Sequence, residues 1–290
     1  MPFNNKSRLD PSQVDDRRGR SMGTRVAVGG GGIGLVILVV ALLFGVNPND
    51  LIALTGQEPA ASSDNTSEIY DLEEACRTGA DANVRQDCQI VGFVNSIQAF
   101  WTGEFASQGV EYPPAQTVLF TGSTEGACGY ASAATGPFYC PLDQMVYLDL
   151  SFFEELETRF GAEGGAYAVG YILAHEYGHH IQNLAGILDE AGSRGDTGPQ
   201  SMSVQIELQA DCLAGVWMNN ANETGYLTPL TEDEIGQSLD AASSVGDDRI
   251  QNMNQGYVSP ESWTHGSSAQ RKNAFMAGLN TGDVTACDFE

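Results

Sequence analysis

Five consecutive residues in the middle of this 290-residue chain carry the groups needed for hydrolytic metal chemistry: His175, Glu176, Tyr177, Gly178 and His179. The pattern is H-E-x-x-H. Residues i and i+4 share one face of an α-helix, so both imidazoles reach a single metal ion. Glu176 projects beside that face, where its carboxylate can take a proton from a water activated by the metal. The surrounding stretch, YILAHEYGHHIQNL, has no charge outside the motif, and it offers Ile172, Leu173 and Ile181 to a packed helix. Two core histidines on such a helix are the plainer alternative. His180 adjoins the motif but turns about 100° away from it, and reads as a packing or supporting group.

A catalytic zinc needs a third protein ligand and an open fourth position. Glu207-Leu208-Gln209-Ala210-Asp211 supplies candidates, with Val204, Leu208, Leu213 and Val216 as apolar neighbours. Acidic groups on an apolar helix are costly unless something pairs with them. Glu207 is the expected third ligand, and Asp211 the expected acceptor for the distal nitrogen of a ligand histidine, fixing its tautomer. A solvated acidic face is the alternative. Amide hydrolysis also builds negative charge on the carbonyl oxygen, which a donor must meet. Of the four histidines, His265 in WTHGSSAQR is the one left for that role. Tyr257 and Arg271 are the other candidates, and capping of the following helix is the simpler use of His265.

The elements that must position these groups follow from periodicity and punctuation. Helices are expected at Val84–Phe105, at Gly165–Leu184 ended by Gly186, at Ser203–Asn219, from Thr231-x-x-Glu234 onward, and at Ser268–Ala277 before Gly278. Gln116–Thr121 and Met145–Leu150 read as strands, and Ser151 with Glu154 as a capping box opening a short helix. The fold class is α+β, helix-rich toward the C-terminus. Met145–Leu150 is expected beside the cleft, where an extended substrate can add to its edge.

With 42% hydrophobic and 18% charged residues, the composition is that of an ordinary globular domain. The net charge of −25 argues against nucleic acid as a partner. Residues 1–25 hold six basic residues against three acidic ones, and the remaining chain has seven basic against 35 acidic. Between the two regions, residues 26–46 (VAVGGGGIGLVILVVALLFGV) carry no charge. About 20 apolar residues span a bilayer, and basic flanks stay in the cytoplasm. The expected layout is a cytoplasmic basic leader at 1–25, a single transmembrane helix at 26–46, a linker at 47–67 and an extracytoplasmic domain at 68–290. A cleaved signal peptide is the rival. All six cysteines follow the apolar segment, as disulfides outside the cell would require. Twelve-residue spacings favour Cys76–Cys88 and Cys128–Cys140, which leaves Cys212–Cys287; buried free thiols are the alternative.

HEYGHHIQ, then ELQADCLAGVW, then HGSSAQR together resemble the predicted neutral zinc metallopeptidase family of bacterial membrane-anchored proteins, over essentially the whole chain. The resemblance implies a zincin-like fold preceded by one membrane helix, metal ligands at His175, His179 and Glu207, and a catalytic glutamate at Glu176. The expected function is zinc-dependent hydrolysis of peptide or protein substrates, with one Zn²⁺ per chain, at the outer face of the cell membrane. A zinc amidase acting on cell-wall material and a catalytically idle zinc-binding module are the competing classes. A structural site needs no general base, so Glu176 speaks against the latter.

Overall fold

The computed structural model describes residues 1–19, 71–191 and 196–288. Its long helices are α1 (Gln86–Ser107), α2 (Ser151–Thr158), α3 (Ala166–Leu184), α4 (Met202–Asn220), α5 (Glu232–Ser244), α6 (Asp247–Gln255) and α7 (Ser268–Thr281). The starts follow local chemistry. Ser201 accepts a hydrogen bond from the Val204 N–H, and Thr231/Glu234 and Ser267/Gln270 form reciprocal capping boxes. At α2, Asp149 rather than a Ser151–Glu154 box takes the Ser151 N–H, at 3.0 Å. α1, α3 and α4 pack around Phe93, Tyr167, Tyr171, Trp217 and Phe275, all fully buried.

Four strands, β1 (Val14–Asp16), β2 (Gln116–Phe120), β5 (Phe138–Cys140) and β6 (Met145–Asp149), form one sheet in the order β1-β2-β6-β5. The first two contacts are parallel and β5 is antiparallel to β6. A separate hairpin pairs β3 (Ser123–Gly126) with β4 (Gly129–Ser132). The expected substrate edge is therefore corrected. β6 has β2 along one side, and β5 against Met145, Val146 and Tyr147 on the other. A strand paired on both sides has no row of free backbone groups to offer over those residues.

The three expected disulfides, Cys76–Cys88, Cys128–Cys140 and Cys212–Cys287, are formed. The last ties α4 to the C-terminal residues. Helix α7 runs through Gly278 to Thr281, past the end expected from sequence. Gly278 is a crossing point: a methyl there would overlap the Cys212 carbonyl, and one at Gly215 would overlap that of Phe275. The two glycines let α4 and α7 approach backbone to backbone.

The expected transmembrane helix and single-pass localisation are corrected. Among the described residues no helix is long and apolar enough to cross a membrane, and the segments expected at 26–46 and 47–67 lie outside them. The physical reason lies in the leader, which is built into the domain. Phe3 is 2% exposed and packs edge-on against Phe93 at 4.8 Å, over Gly92. Asn4 N–H donates to the Tyr226 carbonyl, and Asn95 exchanges hydrogen bonds with the Asp10 backbone. β1 extends the sheet. Arg18 pairs with Asp16 and Asp87, and Arg17 with Asp15, so these basic groups serve internal contacts. A segment packed into the body of 71–288 cannot lie across a bilayer from it. What stands is a helix-rich α+β fold.

Truncating a fully buried phenylalanine costs about 3–5 kcal/mol. Phe3→Ala should lower the stability of the full chain by that amount in urea unfolding, and an unchanged midpoint would show that residues 1–18 do not contribute to the fold.

Candidate metal centre

α3 and α4 cross at Gly178, where a side-chain carbon would stand 3.0 Å from both Cα and the carbonyl oxygen of Ala210. That approach sets His175 and His179, one turn apart on α3, opposite Glu207 on α4. One donor atom from each of the three lies within 4.8 Å of the others. His175 Nε2 is 3.1 Å from Glu207 Oε2, and His179 Nε2 is 3.6 Å from Glu207 Oε1.

The other ring nitrogens are engaged behind the site. His175 Nδ1 lies 2.9 Å from Asp211 Oδ1, and His179 Nδ1 lies 2.8 Å from Gln182 Oε1. Both partners accept, so each neutral ring carries its hydrogen on Nδ1 and turns an Nε2 lone pair toward Glu207. Lone pairs from two imidazoles and a carboxylate facing one another call for a cation between them. The electrostatics agree. Burial opposes a charged His175, yet Asp211 and Glu207 outweigh it and hold the imidazole up at about 10. Glu207 lies well below the usual carboxylate range, because facing histidines, His265 among them, outweigh its burial. The donor set and the missing positive charge both fit zinc.

Asp211 is fully buried and receives Arg271 in a fork, Nε to Oδ2 at 2.8 Å and Nη2 to Oδ1 at 2.9 Å. Tyr171 Oη donates to the same Oδ1 at 2.5 Å. Burial raises the Asp211 carboxyl, but Arg271 and His175 prevail and lower it. Arg271, a candidate oxyanion donor from sequence, is thus committed beneath His175. Glu176 is 7% exposed, and burial pushes its carboxyl above the ordinary range against the pull of His175 and His179.

His265 reaches the same neighbourhood from the loop between α6 and α7. Asp247 Oδ2 accepts from the N–H groups of Thr264, His265 and Gly266 at 2.8, 2.7 and 3.0 Å. Gly266, at φ +87°, rests against Val204 and Leu208 of α4. Burial disfavours the charged His265 ring, while nearby Glu207 and Asp247 outweigh it and raise the pKa. Tyr257 is exposed after α6. His180 faces away, bonded to Tyr139 Oη at 2.9 Å and to the Pro113 carbonyl at 2.7 Å. Sequence reasoning missed Tyr171, Gln182 and Asp247. The first two stand four residues before His175 and three after His179, on the ligand face, and that spacing was the available signal.

A His–His–Glu triangle with a buried glutamate beside it is the arrangement of zinc hydrolases. Residues 3–289 match the family described as "putative neutral zinc metallopeptidase", and the chain belongs to that family. An uncharacterized protein of Mycobacterium tuberculosis H37Rv is 44% identical over 255 residues, 86% of this chain and 84% of its own. The uncharacterized protein YpfJ of Escherichia coli K12 is 34% identical over 294 residues, 98% of this chain and 97% of its own. No solved structure matches the chain.

Removing one partner of a buried ion pair costs about 3–5 kcal/mol, so Arg271→Leu should lose that much stability at neutral pH. The folded pKa of Asp211 is depressed, so its contribution is present above the unfolded value of about 4 and disappears as pH falls through the lower folded value. Urea midpoints of Asp211→Asn should accordingly vary less with pH in that acid range than those of the wild type; parallel profiles would refute the depressed pKa.

Proposed function

We propose that this protein is a metallopeptidase that hydrolyses peptide bonds in peptide or protein substrates, with one zinc ion held by His175, His179 and Glu207. The observation that carries this reading is the convergence of two Nε2 lone pairs and a carboxylate on one point, with Glu176 buried beside it. When bound, zinc supplies Lewis-acid polarisation of the scissile carbonyl and lowers the pKa of water.

The chain's own groups do the rest. Glu176 accepts the proton of the attacking water at a carboxylate oxygen and passes it to the leaving amide nitrogen; its raised pKa makes it a stronger base for the first transfer. Asp211, clamped by Arg271 and Tyr171, keeps the His175 ring in one tautomer and one orientation. His265 donates to the carbonyl oxygen as negative charge develops there. Asp247 supports that role by gathering three consecutive backbone N–H groups of the His265 loop. The three disulfides suit an oxidising compartment.

The test uses the full chain, because residues 1–18 belong to the fold. Metal analysis should find one zinc per chain, lost in His175→Ala, His179→Ala and Glu207→Ala. Glu176→Gln should keep zinc and lose hydrolysis of a peptide library; turnover at the wild-type rate would exclude Glu176 as the base. Cleavage of cell-wall amides with no cleavage of peptides would transfer the reading to an amidase.

His265→Ala should retain zinc while kcat falls by about 10²–10³-fold, the usual cost of one lost oxyanion donor. An effect confined to KM would reassign the donor to Tyr257.

A further inference from the structure

The two ligand histidines are supported in different ways. Behind His175 stands a charged clamp. Behind His179 a line of neutral hydrogen bonds runs from the metal centre to the C-terminal residues. The Gln182 amide nitrogen donates to the Ile206 carbonyl at 2.8 Å and to Gln209 Oε1 at 2.9 Å. The Gln209 amide nitrogen donates in turn to the Cys287 carbonyl at 3.1 Å. Cys287 is bonded to Cys212, three residues beyond Gln209 on α4.

The line has a direction. A main-chain carbonyl can only accept, so Ile206 and Cys287 fix which way each amide points. Both Gln182 amide hydrogens are then used, and its oxygen is left for His179. That oxygen puts the hydrogen of the neutral His179 ring on Nδ1 and leaves Nε2 facing Glu207. Packing alone does not hold the glutamines. A cavity of about 190 Å³, lined by Ile181, Gln182, Gln209, Leu213, Val284 and Cys287, opens beside them. Without the Cys287 carbonyl, Gln209 has space to turn its amide, and a turned amide would set its NH₂ against that of Gln182.

We propose that Gln182 and Gln209 are positioning residues for His179, and that the Cys212–Cys287 crosslink, by pinning the Cys287 carbonyl at the end of their line, sets how tightly the centre holds zinc. The inference rests on the zinc reading given above. His175 is the rigid half of the centre, and His179 is the half whose support depends on a crosslinked terminus.

Zinc dissociation constants of the full chain, measured by competition with a chromophoric chelator, test this together with thermal melts and the His179 tautomer read by ¹⁵N NMR on zinc-free protein. Gln182→Leu should bind zinc about 10–100-fold more weakly, the usual cost of losing a group that orients a ligand. Gln182→Glu keeps an acceptor for the Nδ1 hydrogen and should recover most of that loss, although it sacrifices both donor bonds. Gln209→Leu and the double variant Cys212→Ala/Cys287→Ala should weaken binding in the same direction by a smaller factor, and should show mixed tautomers at His179 with His175 unchanged. Wild-type affinity in both of these, with melts showing folded protein, would overturn the proposal. So would a Gln182→Glu as weak as Gln182→Leu, since that marks a packing role. If the double variant fails to fold, Gln209→Leu, which retains the crosslink, decides. Failure of the wild type itself to bind zinc would strike the metallopeptidase reading instead, and the zinc-free tautomer measurement would then judge the relay.

Discussion

The buried carboxylate of Asp211 is the group on which the centre depends. An ionised side chain in a protein interior survives only if its charge and its lone pairs are met. Arg271 of α7 meets the charge, and Tyr171 and His175 of α3 meet the remaining lone pairs. Two helices, α3 and α7, thus converge on one residue of a third, α4. The convergence requires close backbone approach, which explains glycines at Gly178, Gly215 and Gly278 within helices. Each costs about 1 kcal/mol of helix propensity against alanine, and each stands where a methyl group would press on or overlap the neighbouring helix.

The charges near the ligands then balance in an instructive way. Asp211 and Arg271 cancel. The buried Glu176 and the half-buried Glu207 remain as two carboxylates beside the imidazoles, and a dication would neutralise them. The depressed carboxyl of Glu207 and the elevated imidazole of His175 express the same demand, met by protons when no metal is bound.

Much of this was legible because it is local. The i, i+4 spacing placed His175 with His179 and Glu207 with Asp211, and caps and apolar periodicity located the long helices other than α6 to within a few residues. Twelve-residue separations pointed to two of the bridges. What was not legible is non-local. Nothing near Phe3 announces that it packs over Gly92, so an apolar stretch flanked by arginines read as a membrane anchor when Arg17 is in fact paired with its neighbour Asp15, and Arg18 with Asp16 and with Asp87 of α1. Alternation identified Met145–Leu150 as a strand but not its neighbours, and hence not the pairing that covers Met145, Val146 and Tyr147 on both sides. Gly278 read as a helix stop because sequence shows a missing side chain without showing the helix that occupies its place. For Arg271, sequence gave the reach of the side chain and not its direction.

The docking of residues 1–18 also bears on how the protein is made. Their partners are distant: Arg8 bridges to Thr78, Val14 pairs with Thr117, and Phe3 bridges to Leu227. Phe3 meets Phe93 of α1 as well as Leu227, so its surroundings are drawn from two widely separated parts of the chain. Closing so long a loop costs little more entropy than closing one half its length, about 0.6 kcal/mol per doubling, so the penalty falls on rate more than on final stability. High contact order slows folding, and the pairings of residues 1–18 with the body of 71–288 are all of that long-range kind.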